Sequence, residues 1–161
     1  MPTPLSPVAQ RFIADLGGIT QSFGKGRVVG QLYAYLYFSD GPRSLGDMQD
    51  ALAISKGSAS MSVRQLEQWE AVRKVWVKGD RKDYYEALTW FDKIAKNIAV
   101  ETVTQKMGVY TALLEDAESA VASDPPDKQD GFERDRVEHL RDFHRYITGI
   151  WHNPLLQKLL K

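Results

Sequence analysis

The chain has 161 residues, enough for one domain or a compact domain with a helical extension, and its 43% apolar share excludes wholesale disorder. The absence of cysteine excludes disulfides, thiolate catalysis and cysteine-based metal sites. Its 21 basic and 21 acidic side chains cancel, which argues against coating of nucleic acid by bulk charge.

The opening Met1-Pro2-Thr3-Pro4-Leu5 lacks the basic and apolar regions of a signal peptide, and no stretch approaches the roughly 20 apolar residues of a membrane span. A cytoplasmic protein with no membrane partner is the expectation. From Pro7, a suitable first-turn proline, Val8, Phe12, Ile13 and Leu16 keep helical spacing, and Gly17-Gly18 is expected to end that helix. A second helix is predicted from about Arg27 to Phe38, dense enough in apolar residues to be buried on most sides, with Asp40-Gly41-Pro42 as its stop. Ser44 then caps a short helix by accepting from the amide of Asp47, with Leu45, Met48 and Leu52 facing inward.

Ser55 caps the next helix, about Lys56 to Trp69. Ala59, Val63 and Leu66, with Trp69 at the end, form one narrow apolar stripe, and Lys56, Ser58, Ser60, Met61, Arg64, Gln65 and Gln68 occupy the other side. The period then becomes alternating. Val72, Lys74, Trp76 and Lys78 interleave with Arg73, Val75 and Val77, Gly79-Asp80-Arg81-Lys82 reads as a tight turn, and Asp83 to Ala87 returns as a second strand. Between Arg73 and Lys82 five basic residues face one acid, Asp80, the local footprint of a phosphate-contacting element. Helical spacing resumes from Trp90 to Val121 and is expected to stop at Asp124-Pro125-Pro126-Asp127. A last long helix covers about Gly131 to Trp151, and Pro154 opens a short C-terminal turn.

Helix, short helix, polar-faced helix, then a hairpin with a basic tip is the order of a winged helix-turn-helix. The predicted fold is mainly α with a small β-hairpin wing and a helical dimerisation extension. Residues 1–26 supply an N-terminal helix for dimerisation, 27–86 the DNA-binding domain, and 87–161 the dimerisation and effector region. Arg64 suits guanine O6 and N7, and Gln65 or Gln68 suits adenine. Ser55, Lys56, Ser58 and Ser60 suit phosphates near a helix start, while Lys78, Arg81 and Lys82 suit the backbone or minor groove beside it.

The run Gly30-Gln31-Leu32-Tyr33-Ala34-Tyr35-Leu36-Tyr37 resembles the GbsR-type branch of MarR-like regulators. So do Ile54-Ser55-Lys56-Gly57-Ser58-Ala59-Ser60, Arg64-Gln65-Leu66, the stretch from Trp69 to Val72, and Gly79-Asp80-Arg81-Lys82-Asp83-Tyr84-Tyr85. The likeness covers about residues 10–90. It implies a homodimer on a pseudo-palindromic operator, with the N- and C-terminal helices forming the interface. Some members repress osmoprotectant genes in response to a small ligand such as choline, a ligand that no motif here fixes.

Tyr33, Tyr35, Tyr37, Tyr84, Tyr85, Trp90 and Phe91 supply the rings for an aromatic cage around a cationic effector, although core packing is the commoner fate of such rings. Tyr85, Trp90 and Phe91, near the junction of wing and C-terminal helices, are the candidate ligand residues. His139 and His144 miss the i, i+4 spacing of a paired-histidine metal site. With no P-loop, no nucleotide-binding glycine pattern and no nucleophile elbow, neither an enzyme nor a cofactor is expected. The reading is a sequence-specific DNA-binding regulator, expected to repress. The alternative is a winged-helix module that docks a protein and lacks sequence-specific DNA binding.

Overall fold

A computed structural model describes residues 5–123 and 131–160; the expected break at Asp124–Asp127 lies outside the described residues. The chain divides into two compact units, Met1–Asn97 and Ile98–Lys161.

In the first unit, α1 (Pro7–Ser22) starts where the Ser6 side chain accepts from Ala9 N, with Pro7 in the first turn. It does not stop at Gly17-Gly18 but runs on to Ser22. The cause is tertiary. A Cβ on Gly17 would lie 2.7 Å from Gln31 Cγ, and one on Gly30 would lie 2.4 Å from Leu16 O. The two glycines therefore mark where α1 meets α2 (Arg27–Tyr37) at backbone distance. Thr20 Oγ1 sits 2.9 Å from Gly26 O and 3.1 Å from Leu16 O, tying the corner between the helices.

Leu32, Ala34, Tyr35 and Leu36 of α2 are buried and form the centre of the unit's core. Around them pack α3 (Leu45–Leu52), through the fully buried Met48, and α4 (Lys56–Gln68), through Ala59, Val63 and Leu66. Removing each large core side chain from water contributes about 1.5–3 kcal/mol. Ser44 caps α3 in a reciprocal box, its own amide donating to Asp47 Oδ2 at 2.7 Å while Asp47 N reaches Ser44 Oγ at 3.3 Å. The residue between α3 and α4 that turns the chain is Ala53, in the left-handed region at φ 51°.

α4 ends with Glu70 also left-handed, at φ 54°, and Ala71 N donating to Leu66 O at 2.8 Å. The chain then enters β2 (Val72–Val75), which pairs antiparallel with β3 (Tyr84–Ala87), Arg73 opposite Glu86 and Lys74 opposite Tyr85. Two features differ from the sequence expectation. Pairing stops at Val75, so Trp76 to Asp83 form a longer loop than a tight turn at residues 79–82. The sheet also has a third member, β1 (Arg43–Ser44), in the order β1-β3-β2. Two residues are too few to display a period, which hides β1 in the sequence.

The first turns of α5 (Phe91–Ser123) belong to this unit. Asn97 Nδ2 donates to Trp69 O at 2.9 Å, and Trp90 Nε1, just before the helix, donates to Glu70 O at 2.9 Å. The second unit contains the rest of α5, α6 (Gly131–Trp151) and α7 (Pro154–Leu159), the last a short helix where a turn was expected. Within it Thr111 Oγ1 and His144 Nε2 lie 2.9 Å apart, and Arg141 Nε donates to Glu118 Oε1 at 2.5 Å.

Candidate nucleic-acid interface

α4 buries one face and leaves the other in water. Ala59, Ser62, Val63 and Leu66 point inward, while Gly57, Met61, Arg64 and Gln68 follow at i, i+4, i+7 and i+11 as one exposed stripe. Lys56 stands exposed at its start, with Ser58 and Ser60 half-buried. Ser55 is committed to the helix cap, since its Oγ accepts from Ser58 N at 3.1 Å and donates to Ser58 Oγ at 3.0 Å. That fixes the α4 start, where aligned peptide dipoles favour an anion. Gln65 Nε2 donates to Gln68 Oε1 at 3.3 Å, so the two glutamines are held as a pair. Met61, 74% exposed, is the stripe's apolar member, and its spacing from Arg64 gives it away in the sequence.

The loop beyond β2 is internally braced by one carboxylate. Asp80 N donates to Val77 O at 3.2 Å, with Gly79 between them at φ 87°. Asp80 Oδ1 accepts from Lys82 N at 2.9 Å and Oδ2 from the Tyr84 hydroxyl at 2.8 Å. Those bonds, the Lys82 amide foremost, hold Asp80 below the ordinary carboxylate range and push the Tyr84 phenol up.

Of the five cations between Arg73 and Lys82, two are engaged in the sheet: Arg73 pairs with Glu86 at 2.5 Å and Lys74 with Asp83 at 2.7 Å. Lys78, Arg81 and Lys82 are exposed and make no ion pair among the described residues. The cationic footprint is therefore narrower than the sequence count, and it is concentrated at the tip. Trp76, 79% exposed, stands beside it and was assigned no role from sequence.

The candidate ligand residues have separate neighbours. Tyr85 is buried in the sheet, its phenol pushed up by that burial and by Glu67 and Asp83. Trp90 is bonded to Glu70 O, with Lys93 Nζ 5.5 Å from its ring centroid, and Phe91 meets Tyr37 edge-on at 5.7 Å. Tyr33 and Tyr37 stack at 6.2 Å, and the Tyr33 hydroxyl donates to Leu88 O at 2.8 Å, so these rings serve packing.

Three helices, the third with an exposed polar stripe, followed by a sheet whose β2–β3 loop is basic, decide the architecture. The fold is a winged helix-turn-helix. A crystal structure of a transcriptional regulator has the same fold, with a TM-score of 0.55 and 23% identity over 96% of both chains. No family model matches the winged-helix chain. It is similar to the HTH-type transcriptional repressor GbsR of Bacillus subtilis, 31% identical over 105 residues, which are 65% of this chain and 54% of the repressor. It is also similar to the HTH-type transcriptional regulator MmpR5 of Mycobacterium tuberculosis, 32% identical over 80 residues, 49% of this chain and 48% of that one. The winged-helix chain thus spans about half the length of these curated relatives, and the GbsR likeness read from its motifs agrees with the first of them. No described helix is long and apolar enough to cross a membrane.

Proposed function

We propose that the chain is a sequence-specific DNA-binding transcriptional regulator, a repressor that acts as a homodimer on a pseudo-palindromic operator in the cytoplasm. The observation that carries this reading is the exposed α4 stripe beside a wing tip bearing Lys78, Arg81 and Lys82. A major groove roughly 12 Å wide admits such a helix, and a guanidinium at Arg64 matches guanine in two bonds. Gln65 and Gln68, already paired, present amides suited to adenine. Ser55, Lys56, Ser58 and Ser60 lie at the α4 start, suited to a phosphate. The names of the relatives, a repressor and a regulator, agree with this and with a protein that is no enzyme.

Dimerisation is assigned to residues 1–26 and 87–161. Supporting it are exposed apolar side chains on α1 (Val8, Phe12) and in the second unit (Val109, Leu113, Phe143, Tyr146). Two heads on a two-fold axis meet half-sites about 10 base pairs apart. An effector would regulate such a dimer by binding its DNA-competent and incompetent forms unequally. Trp90 and Phe91, 45% and 53% exposed, are open to one, whereas Tyr85 is reachable only if the sheet opens.

Selection of bound sequences from random duplex DNA, followed by salt titration, tests the assignment. Arg64→Ala should cost about 1–3 kcal/mol on the selected site and relax preference at one position. Arg81→Ala should weaken all sequences alike and lower the salt slope by about one. If both variants bind selected and random DNA as the parent does, these roles are wrong.

A further inference from the structure

Trp76 is the most exposed large aromatic of the first unit, and it makes no hydrogen bond or ring contact among the described residues. A large aromatic carries some 150–250 Å² of area, so at 79% exposure Trp76 leaves a broad apolar face open to a partner. Its place narrows what that partner is. Trp76 directly follows Val75, the last paired residue of β2, and opens the loop that runs to Asp83. There it shares an open hollow with Lys74, Arg81 and Lys82 and with two carboxylates that are already engaged, Asp83 by Lys74 and Asp80 by the Lys82 amide and the Tyr84 hydroxyl.

We propose that Trp76 is a non-ionic DNA contact of the wing, its indole laid against the deoxyribose and base edges that line the minor groove while Arg81 and Lys82 hold the flanking phosphates. The proposal rests on the DNA-binding reading above and assigns the wing a contact that does not depend on charge. The surroundings favour this partner over a protein surface. A protein hot spot seats its aromatic among other apolar groups that exclude water, whereas Trp76 is surrounded by charged groups, Arg81 and Lys82 among them, and its apolar neighbours Val75 and Val77 are half-buried. A single ring beside Arg81 and Lys82, which make no ion pair among the described residues, instead matches a polyanion with flat apolar sugar faces; minor-groove proteins also turn apolar side chains on DNA, as wedges between base steps.

The experiment compares the parent, Trp76→Ala and Trp76→Phe on a duplex selected by the parent, over a range of salt, following intrinsic fluorescence. Trp76→Ala should bind about five- to ten-fold more weakly, and Trp76→Phe should keep most of the affinity. Both should melt like the parent and keep its salt slope, because no phosphate contact is lost. Quenching of tryptophan emission by DNA in the parent should be largely absent in both variants. Equal binding by Trp76→Ala, or quenching that survives the substitution, overturns the role of Trp76 and leaves the DNA reading standing. Loss of the parent's sedimentation behaviour in Trp76→Ala overturns it too, by assigning the ring to a protein contact. A parent that binds no duplex at low salt overturns both readings.

Discussion

Two glycines of the helical N-terminal layer should respond to the same substitution with opposite signs. In Gly30→Ala the new methyl would fall 2.4 Å from Leu16 O, 2.5 Å from Thr20 Oγ1 and 2.8 Å from Leu16 C. Two of those atoms are backbone, so a side-chain rotation cannot clear them and α1 must move away by about 1 Å to reach ordinary contact. A gap of that size forfeits a quarter to a half of the dispersion well at each separated pair. It also strains the Thr20 bonds to Leu16 O and Gly26 O. Overpacking of this kind costs about 1–3 kcal/mol, offset by roughly 0.5–1 kcal/mol from replacing a helical glycine with alanine. The net expectation is a loss of up to about 2.5 kcal/mol, or a melting point lower by several degrees for a chain of this length. Gly18→Ala meets nothing within 4 Å and should gain about 0.5–1 kcal/mol by the same propensity. Thermal melts followed by circular dichroism, at one chain concentration because an associating protein melts in a concentration-dependent way, read both. A Gly30→Ala protein that melts at or above the parent would refute the close approach of α1 and α2.

The Tyr33 phenol, pushed up to about 12 by burial and then by Tyr37, is raised above its ordinary 10. Its contribution is thus complete below pH 10 and is lost as pH climbs from 10 toward about 12; urea midpoints against pH should show that limb, and Tyr33→Phe should shrink it. At neutral pH Tyr33→Phe should also cost roughly 1 kcal/mol through the lost bond to Leu88 O. Ser55→Ala removes the α4 cap at a cost of about 1 kcal/mol, and amide exchange should quicken at Gly57 to Ala59 while α2 stays protected; unchanged exchange at Ser58 would mean that the cap is not holding the helix start.

The elements whose cause is local were legible. Ser44 and Ser55 announce their helices because a side-chain oxygen three residues before a free amide is a short-range device. The exposed stripe of α4 was legible because helical periodicity separates Ala59, Val63 and Leu66 from Arg64 and Gln68. Elements whose cause is distant were not. Gly17-Gly18 reads as a stop until α2 is in place, when Gly17 becomes a contact surface. Alternation continues in the sequence past Val75, but pairing with β3 begins at Tyr84, so the loop between them is set by the partner strand and by the Asp80 bonds. The basic count around the wing was read correctly, yet Arg73 and Lys74 are spoken for by Glu86 and Asp83, acids that lie ten or so positions on.

Ser44 belongs to two structures at once. As a β1 residue it stands opposite Tyr84, whose hydroxyl is bonded to Asp80 in the wing loop, and as the cap of α3 it holds Asp47. The wing and the first helix of the reading motif are thus geared through one residue. β3 and the start of α3, which packs on α4, therefore meet at a single residue. In the DNA-binding reading proposed above, a strain placed on the wing would have a short route, through Ser44, to the cap of α3.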